Sequence, residues 1–262
     1  MAPQAIARGD GDPLLGLAVG TRFGVVGLRA TGAHAAVYDA WDAANADACV
    51  LKIVRGERHA LGRVHDLFLR EASLMRAAPV APRERGSDLH EPEPSFAWLA
   101  MDSARGERIT ESEGPIEALA RASVRAVGEL HAANVFHGDL KPDHLLFAEG
   151  RVTILDFGCA AFAGHAEDAP RETTPAYAAP EREVSGPSAA SDIYSLGCVL
   201  FELSTGRRPF ARLSGAELAR AHEKQSVSCD AGPPALRSAI AAALQKGAVE
   251  RPTAAELLAL VA

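Results

Sequence analysis

The sequence contains no long apolar run and no pattern typical of a secretory leader. None of its apolar stretches approaches the roughly 18–20 residues needed to cross a bilayer. Its first residues, MAPQAIARGDGDP, lack the basic-then-apolar pattern of a signal peptide. These absences argue against a membrane-spanning or secreted protein, and we expect the chain to be cytoplasmic and to have no membrane partner.

The sequence is also poor in cysteine and carries no excess of positive charge. Its four cysteines lie far apart, with neither a Cys-x-x-Cys pair nor a Cys/His spacing typical of zinc sites. We expect them to be reduced thiols. The 27 Lys and Arg residues are outnumbered by 34 Asp and Glu residues. The resulting net charge of −7 argues against nucleic acid as a partner.

What is present is the composition of a globular protein that is long enough to bury a large core. The 262 residues are 48% hydrophobic and 23% charged, which fits one large domain or two compact lobes. Apolar side chains at helical spacing predict a helix over 60–78, and the polar, proline-bearing stretch 80–95 predicts an exposed loop with at most a weak edge strand. Short β-type runs occupy residues 22–28, 36–41, 48–54 and 96–101.

The second half of the chain has a helical pattern. It begins at about residue 115 with PIEALARASVRAVGELHAANV. Residues 136–146, FHGDLKPDHLL, then crowd two histidines, two aspartates and a lysine into eleven positions. RVTILDFG predicts a strand ending at Asp156, and further helices are predicted in SDIYSLGCVLFELSTG, in SGAELARAHEKQ and in two alanine-rich segments near the C-terminus. A small β-rich part with one helix thus precedes a larger helical part.

Four motifs occur in order along the chain: HGDLKPDHLL, ILDFG, TPAYAAPE and SDIYSLG. Together they resemble the catalytic domain of a bacterial eukaryotic-type (Hanks-type) Ser/Thr protein kinase, from about Phe23 to Val261. The resemblance implies an α+β, two-lobed protein-kinase-like fold, with a small β-rich N-lobe that contains one helix and a larger, mainly helical C-lobe. With a flexible Gly/Pro/Asp-rich segment at 1–20, the N-lobe would span 21–103 and the C-lobe 104–262.

The resemblance implies a reaction, namely transfer of the γ-phosphate of ATP to a Ser or Thr hydroxyl of a protein substrate, with Mg²⁺ or Mn²⁺. Such a transfer needs aligned oxygens, metal ions over the phosphates and fixed positive charge. Asp139 matches the aspartate that accepts or orients the proton of the attacking hydroxyl, and Lys141 would neutralise the γ-phosphate. Asp156, in the Asp-Phe-Gly motif, would hold the metal through hard carboxylate oxygens.

The same resemblance implies a set of ATP contacts. Lys52, in VLKIV, matches the strand lysine that grips the α- and β-phosphates, and Glu71 would anchor it through an ion pair. Taken alone, a surface lysine and a solvated helix glutamate would explain these two residues equally well. Gly32 would belong to the phosphate-covering loop. The adenine contacts implied are Val37, Val50, Met101, Asp102, Ala104 and Leu146, and for the apolar ones plain core packing is the rival explanation.

Four positions depart from the family pattern. His144 stands where the family has a metal-binding asparagine, so this ligand is either lost or altered. Related small-molecule phosphotransferases often carry histidine there, which favours alteration, and imidazole suits Mn²⁺ better than Mg²⁺. Ala30 and Ala35 replace two of three expected glycines in the phosphate-covering loop, and alanine resists positive φ. Gly138 replaces the arginine that pairs with a phosphorylated loop, so activity should not depend on phosphorylation of Thr173.

Four further residues match features that serve a protein substrate. Glu181 and Arg251 resemble the buried ion pair of the family, Asp192 would tie down the catalytic loop, and Thr174 would help to align a Ser or Thr acceptor with Asp139. The leading hypothesis is therefore an active protein kinase. Two alternatives stay open. A pseudokinase that acts as a binding or scaffold module is suggested by the alanine-substituted loop and the altered metal position. A small-molecule phosphotransferase is suggested by the His-Gly-Asp sequence and by His144.

Overall fold

The computed structural model describes residues 12–32, 35–56, 58–76, 82–88, 95–228 and 233–261. Described residues up to Ser103 form one compact unit, and those from Ala104 onward form a second. The first unit is mainly β-sheet and the second is mainly helical, so the predicted α+β class is confirmed. In the part of the chain that is described, no helix is both long enough and apolar enough to cross a bilayer.

The first unit consists of one antiparallel sheet and one helix. Its elements are β1 (Ala18–Val19), β2 (Phe23–Thr31), β3 (Ala36–Asp42), β4 (Asp47–Gly56), α1 (Arg58–Met75), β5 (Pro82–Asp88) and β6 (Ser95–Asp102). The strand order is β1-β2-β3-β4-β6-β5. Helix α1 buries Phe68, Leu74 and Met75, which lie at helical spacing on one side. The predicted strands and helix of this unit are present, with their ends shifted by a few residues.

One face of this sheet carries a hydrophobic core that the N-terminal residues help to form. Because side chains alternate along a strand, every second position of the three central strands points into this core. Leu14 and Val19, which precede the sheet, are buried in the same cluster. The prediction of a flexible segment through residue 20 is therefore wrong for residues 12–20, since burial of these two apolar side chains holds that stretch on the sheet. Residues 1–11 lie outside the described residues.

The segment predicted as an exposed loop contains an edge strand of seven residues, β5. Its proline is the first residue of the strand, where no ladder hydrogen bond is lost. Arg83 anchors β5 through ion pairs with Asp42, Asp47 and Asp102, at 3.0, 2.5 and 2.6 Å. Arg22 and Arg83 together hold the pKa of the buried Asp42 carboxyl well below its usual range. Residues 89–94 of the predicted loop lie outside the described residues.

The second unit consists of six helices and two small sheets within the described residues. The helices are α2 (Ile116–Ala132), α3 (Arg182–Ser185), α4 (Ala189–Thr205), α5 (Gly215–Lys224), α6 (Pro234–Ala243) and α7 (Ala254–Leu260). The strands are β7 (Glu107–Arg108), β8 (Val135–Phe136), β9 (Leu145–Ala148), β10 (Arg151–Ile154) and β11 (Ala161–Phe162). They pair as β10-β9-β7 and β11-β8, and short 3₁₀ turns lie at Pro142–His144, Ala166–Asp168 and Ala248–Glu250.

Helix α4 is the central element of this unit. Ser188 and Ser191 form a capping box at its start, and Gly206 ends it in the left-handed conformation at φ 70°. Every residue from Ser191 to Phe201 is buried, so the helix runs through the core rather than along the surface. Asp192 lies at the start of this buried stretch, where it can reach the loop before β9.

The strand predicted to end at Asp156 is shorter than expected. β10 ends at Ile154, and Asp156 follows in a backbone conformation with φ 60°. A residue with positive φ cannot continue a ladder. The apolar run of RVTILDFG therefore predicts the strand but not the turn that follows it.

Candidate active site

In the first unit, Lys52 and Glu71 form a buried ion pair. Lys52 lies on β4, and its Nζ is 2.9 and 3.1 Å from the two carboxylate oxygens of Glu71 on α1. Glu71 is 3% exposed, which is far less than a solvated helix glutamate. The predicted pairing is thus present, and the alternative of two independent surface charges is wrong.

The predicted adenine contacts of the first unit lie on the same face of the sheet as Lys52. Val37 is directly opposite Lys52 in the β3–β4 ladder, and Val50 is opposite Met101 in the β4–β6 ladder. Because their strand neighbours point into the hydrophobic core, these four residues point to the other face. Asp102 ends β6, and its carboxylate is held by Arg83.

The phosphate-covering loop is a narrow hairpin end in which alanine fits. The ladder of β2 and β3 continues to the pairs Ala30–Val37 and Thr31–Ala36, and the N–H of Gly32 donates to the carbonyl of Ala35 at 2.8 Å. Neither Ala30 nor Ala35 is among the described residues with positive φ. The two substitutions therefore impose no backbone strain here. Residues 33 and 34 lie outside the described residues.

In the second unit, Asp192 fixes the backbone of the loop that carries Asp139. Its carboxylate accepts the N–H of His137 at 2.7 Å and the N–H of Gly138 at 2.8 Å. His137 is fully buried, and its Nε2 lies 2.9 Å from the carbonyl oxygen of Leu155. The predicted tethering role of Asp192 agrees with these contacts, and the buried His137 packs within the loop as a structural residue.

Asp139 is the centre of a hydrogen-bonded cluster. Its Oδ1 accepts the N–H of Thr174 at 2.7 Å and the hydroxyl of Thr173 at 3.1 Å. Its Oδ2 accepts from Lys141 Nζ at 3.1 Å and from the hydroxyl of Thr174 at 3.2 Å. Burial of the carboxyl opposes its ionisation, but the charge of Lys141 and the N–H of Thr174 outweigh burial and lower the pKa of Asp139. Asp139 is therefore an anion at neutral pH.

Lys141 is shared between the aspartate and the threonine. Besides Asp139, its Nζ donates to the hydroxyl oxygen of Thr174 at 2.9 Å. The three side chains thus form a closed triangle of carboxylate, ammonium and hydroxyl. A cation and an anionic base are held side by side, which suits a reaction that moves a proton from one hydroxyl while negative charge develops nearby.

His144 and Asp156 present two metal-ligand atoms to each other. His144 Nδ1 lies 2.9 Å from the carbonyl oxygen of Asp139, and because a carbonyl can only accept, Nδ1 carries the proton. Burial lowers the pKa of His144 to about 4, so the ring is neutral at pH 7 and Nε2 keeps its lone pair. That nitrogen is 3.6 Å from Asp156 Oδ2. A neutral imidazole nitrogen and a carboxylate oxygen therefore lie side by side here.

The ion pair predicted between Glu181 and Arg251 is present and bidentate. Arg251 donates to the two carboxylate oxygens at 2.6 and 2.9 Å, and its side chain is 0% exposed. The same guanidinium donates to the carbonyls of Ala190, Gln245 and Lys246. It therefore ties the start of α3, the start of α4 and the turn after α6 together.

Comparison with known proteins assigns this arrangement to a family. The model of the protein kinase domain matches residues 30–260. The chain belongs to the protein kinase domain family. Matched relatives include Ser/Thr-protein kinase Pkn3 of Myxococcus xanthus, 27% identical over 94% of this chain and 50% of that protein. AfsK of Streptomyces coelicolor is 31% identical over 92% of this chain and 31% of that protein. PknA of Mycobacterium tuberculosis is 29% identical over 81% of this chain and 53% of that protein.

These relatives confirm the recognised resemblance to bacterial Hanks-type kinases, and the kinase domain here spans about half or less of their length. The predicted site residues divide between its two units. Val37, Val50, Lys52, Glu71, Met101 and Asp102 belong to the first, together with Gly32, and Ala104, Asp139, Lys141, His144, Leu146 and Asp156 belong to the second. Leu146 lies on β9, opposite Arg108 and Thr153, and is only partly buried.

The residue of this kinase domain that sequence reasoning missed is Arg182. It follows Glu181 directly and is 1% exposed, yet its sequence context, ERE, is that of a solvated charge run. No local pattern distinguishes it from the exposed Glu183 beside it. The signal that was available is the glycine at 138, which creates space for a side chain from elsewhere.

Proposed function

We propose that this chain is the catalytic domain of an ATP-dependent Ser/Thr protein kinase, which transfers the γ-phosphate of ATP to protein hydroxyl groups. The observation that carries the proposal is the triangle of Asp139, Lys141 and Thr174 in the second unit. Family membership and the names of the matched Ser/Thr-protein kinases support it. The buried Lys52–Glu71 pair in the first unit supports it independently.

In this proposal Asp139 receives or orients the proton of the acceptor hydroxyl. The carboxylate already accepts hydroxyl groups from Thr173 and Thr174, so an alcohol is the kind of donor for which its oxygens are arranged. An acceptor Ser or Thr takes one of these positions in turn. The bond that forms joins the acceptor oxygen to the γ-phosphorus, and the bond that breaks leaves ADP.

The positive charges have separate tasks. Lys141 offsets the negative charge of the transferring phosphoryl group, and its bond to Thr174 keeps it in place. Lys52, held by Glu71, contacts the α- and β-phosphates. The apolar Val37, Val50, Met101 and Leu146 contact the adenine, with Asp102 and Ala104 supplying backbone groups and Gly32 the loop over the phosphates.

A divalent cation fits the pair formed by His144 and Asp156. The fit rests on chemistry visible in the side chains, since one unprotonated imidazole nitrogen and one carboxylate oxygen lie 3.6 Å apart. Two protein ligands leave the other coordination positions to phosphate oxygens and water, as is usual for a nucleotide-bound cation. When bound, Mg²⁺ or Mn²⁺ neutralises phosphate charge.

We expect the wild-type domain to transfer phosphate relatively faster with Mn²⁺ than with Mg²⁺, because imidazole nitrogen is a softer ligand than an amide oxygen. His144→Asn should lower the Mn²⁺/Mg²⁺ rate ratio by about tenfold. Electron paramagnetic resonance of Mn²⁺ with ATP should show weaker binding in the same variant. His165→Asn, at an exposed histidine, is the matched control. Equal rates with both metals at saturation, unchanged in His144→Asn, would show that His144 is no ligand.

We also propose a protein rather than a small molecule as the acceptor, and the cytoplasm as the location. Thr174 at the aspartate and the Glu181–Arg251 pair support the first point. Among the described residues Cys49, Cys159 and Cys198 form no disulfide, which supports a reducing compartment. The net charge of −7 supports partners other than nucleic acids or anionic membranes.

The experiment that tests the proposal separates the classes of acceptor. The purified domain is incubated with γ-³²P-labelled ATP and Mn²⁺, once with a mixture of protein acceptors and once with a panel of hydroxylated metabolites. We expect label in phosphoserine or phosphothreonine after acid hydrolysis of the protein fraction. Label confined to a metabolite alcohol would instead establish the small-molecule reaction, and the protein-kinase proposal would fail.

A further inference from the structure

Arg182 is a buried arginine whose guanidinium donates, as far as the described residues show, to backbone carbonyls alone. Its Nε donates to the carbonyl of Gly138 at 2.9 Å, and its Nη2 donates to the carbonyls of Pro170 and Cys159 at 3.1 and 3.5 Å. Among the described residues no carboxylate forms an ion pair with it, and its Nη1 is buried without a partner. Burying an arginine costs free energy, which its hydrogen bonds to the carbonyls must offset. An apolar side chain could not form these bonds.

The three carbonyls belong to two parts of the candidate site. Gly138 precedes Asp139 in the catalytic loop. Cys159 and Pro170 lie in the stretch 156–181, from the Asp-Phe-Gly aspartate to Glu181, which we call the activation segment. One rigid, planar guanidinium group therefore joins the activation segment at two points to the loop that carries the catalytic aspartate.

Gly138 is required for this arrangement. Its φ is 77°, a conformation that L side chains rarely adopt. A Cβ at this position would lie 2.5 Å from the carbonyl oxygen of Cys159 and 2.9 Å from Nη2 of Arg182. No side chain fits there, and the guanidinium of Arg182 fills the space beside it. The family's arginine before Asp139 is thus absent here, and the guanidinium of Arg182 from α3 lies beside this position.

The rest of the activation segment is already docked on the same loop. Strand β11 pairs with β8, and the N–H of Ala163 donates to the carbonyl of Asn134 at 2.8 Å. The hydroxyl of Thr173 donates to Asp139 itself. A phosphate on Thr173 would break that bond and place negative charge against a carboxylate.

We propose that Arg182 is a positioning residue that holds the activation segment in its working arrangement without any phosphate. This inference rests on the proposed kinase function and adds a mode of regulation to it. In the family pattern an arginine before the catalytic aspartate pairs with a phosphorylated segment. Here the guanidinium of Arg182 binds backbone carbonyls instead. The domain is therefore switched on by folding rather than by phosphorylation.

The test compares unphosphorylated wild type, made with a co-expressed phosphatase, with Arg182→Met and Arg182→Lys. We expect full kcat in the unphosphorylated wild type. In Arg182→Met, kcat should fall at least about tenfold with KM for ATP changed less than about twofold. Amide hydrogen exchange over 159–173 should become at least about tenfold faster. Arg182→Lys keeps the charge but not the planar fork, so both readouts should be intermediate.

Leu257→Ala in α7 is the control for general destabilisation, because this buried core residue lies outside the site. It should lower the melting temperature while leaving kcat and exchange over 159–173 as in wild type. Wild-type kcat and exchange in Arg182→Met would overturn the proposal, and so would activation of wild type by phosphorylation of the segment. If Arg182→Met does not fold, wild-type values in Arg182→Lys overturn it. Absence of transfer in every variant would contradict the kinase function, while exchange would still decide the role of Arg182.

Discussion

Asp139→Asn should lower kcat about 10²- to 10⁴-fold without changing the fold. The asparagine has the same shape, and its carbonyl oxygen can still accept from Thr173 and from the N–H of Thr174. What is lost is the negative charge that receives or orients the proton of the acceptor hydroxyl. Steady-state transfer of labelled phosphate to a protein acceptor measures kcat, and circular dichroism with a melting curve checks the fold.

Asp143→Asn is the matched control for this substitution. Asp143 lies four positions further along the same loop, but its side chain is 63% exposed and contacts only Arg108 among the ion pairs described. We expect its kcat to stay within about twofold of wild type, since surface ion pairs contribute little. A residual rate in Asp139→Asn equal to that of Asp143→Asn would remove Asp139 from the chemistry.

Glu181→Ala should destabilise the second unit by about 3 kcal/mol, because it leaves the guanidinium of Arg251 buried without a counter-charge. The pair is bidentate, and Arg251 has no exposed side-chain surface through which water could replace the carboxylate. For a domain of this size, such a loss corresponds to a decrease in melting temperature of about 6–12 °C. Differential scanning calorimetry measures it directly.

Glu183→Ala provides the comparison, two residues further along and exposed to solvent. It removes the same charge from the same turn of chain without uncovering a buried partner, and its melting temperature should stay within about 2 °C of wild type. Equal melting temperatures for the two variants would mean that the pair seen in the structure contributes no stability.

The fold could be predicted from sequence where its determinants are local. Short β-type runs identified β3, β4 and β6, and apolar residues at helical spacing identified α1. Two errors arose where the stabilising contacts are distant in sequence. β5 is held by Arg83 and its ladder with β6, and residues 12–20 are held by Leu14 and Val19 on the sheet. The local composition indicates neither of these distant contacts.

The candidate site shows the same division. The pairs Lys52–Glu71 and Glu181–Arg251 were predicted because recognised motifs name both partners, and both pairs are present. For His144, recognition left two readings open and favoured the altered ligand, and the position of Nε2 beside Asp156 supports the same reading. Arg182 was not predicted because the three carbonyls that it binds have no side-chain identity in the sequence.

The structure also bears on the pseudokinase alternative, which rested on the alanine-substituted loop and His144. Ala30 pairs with Val37 in the β2–β3 ladder without positive φ, so its presence needs no loss of nucleotide binding to explain it. His144 keeps a free lone pair rather than pointing away from Asp156. Both features that suggested a loss of activity are therefore compatible with an active kinase.

The most direct test of the catalytic claim compares wild type with Lys52→Met and Lys224→Met. Transfer of the γ-phosphate is measured for each protein, and ATP binding is measured by calorimetry. We expect wild type and Lys224→Met, which alters an exposed lysine, to label protein Ser or Thr at equal rates. Lys52→Met should transfer phosphate at least about 100-fold more slowly, because the phosphates of ATP lose the fixed positive charge of Lys52. If wild type binds ATP yet labels no faster than Lys52→Met, the chain is a nucleotide-binding module and the proposed kinase activity is wrong.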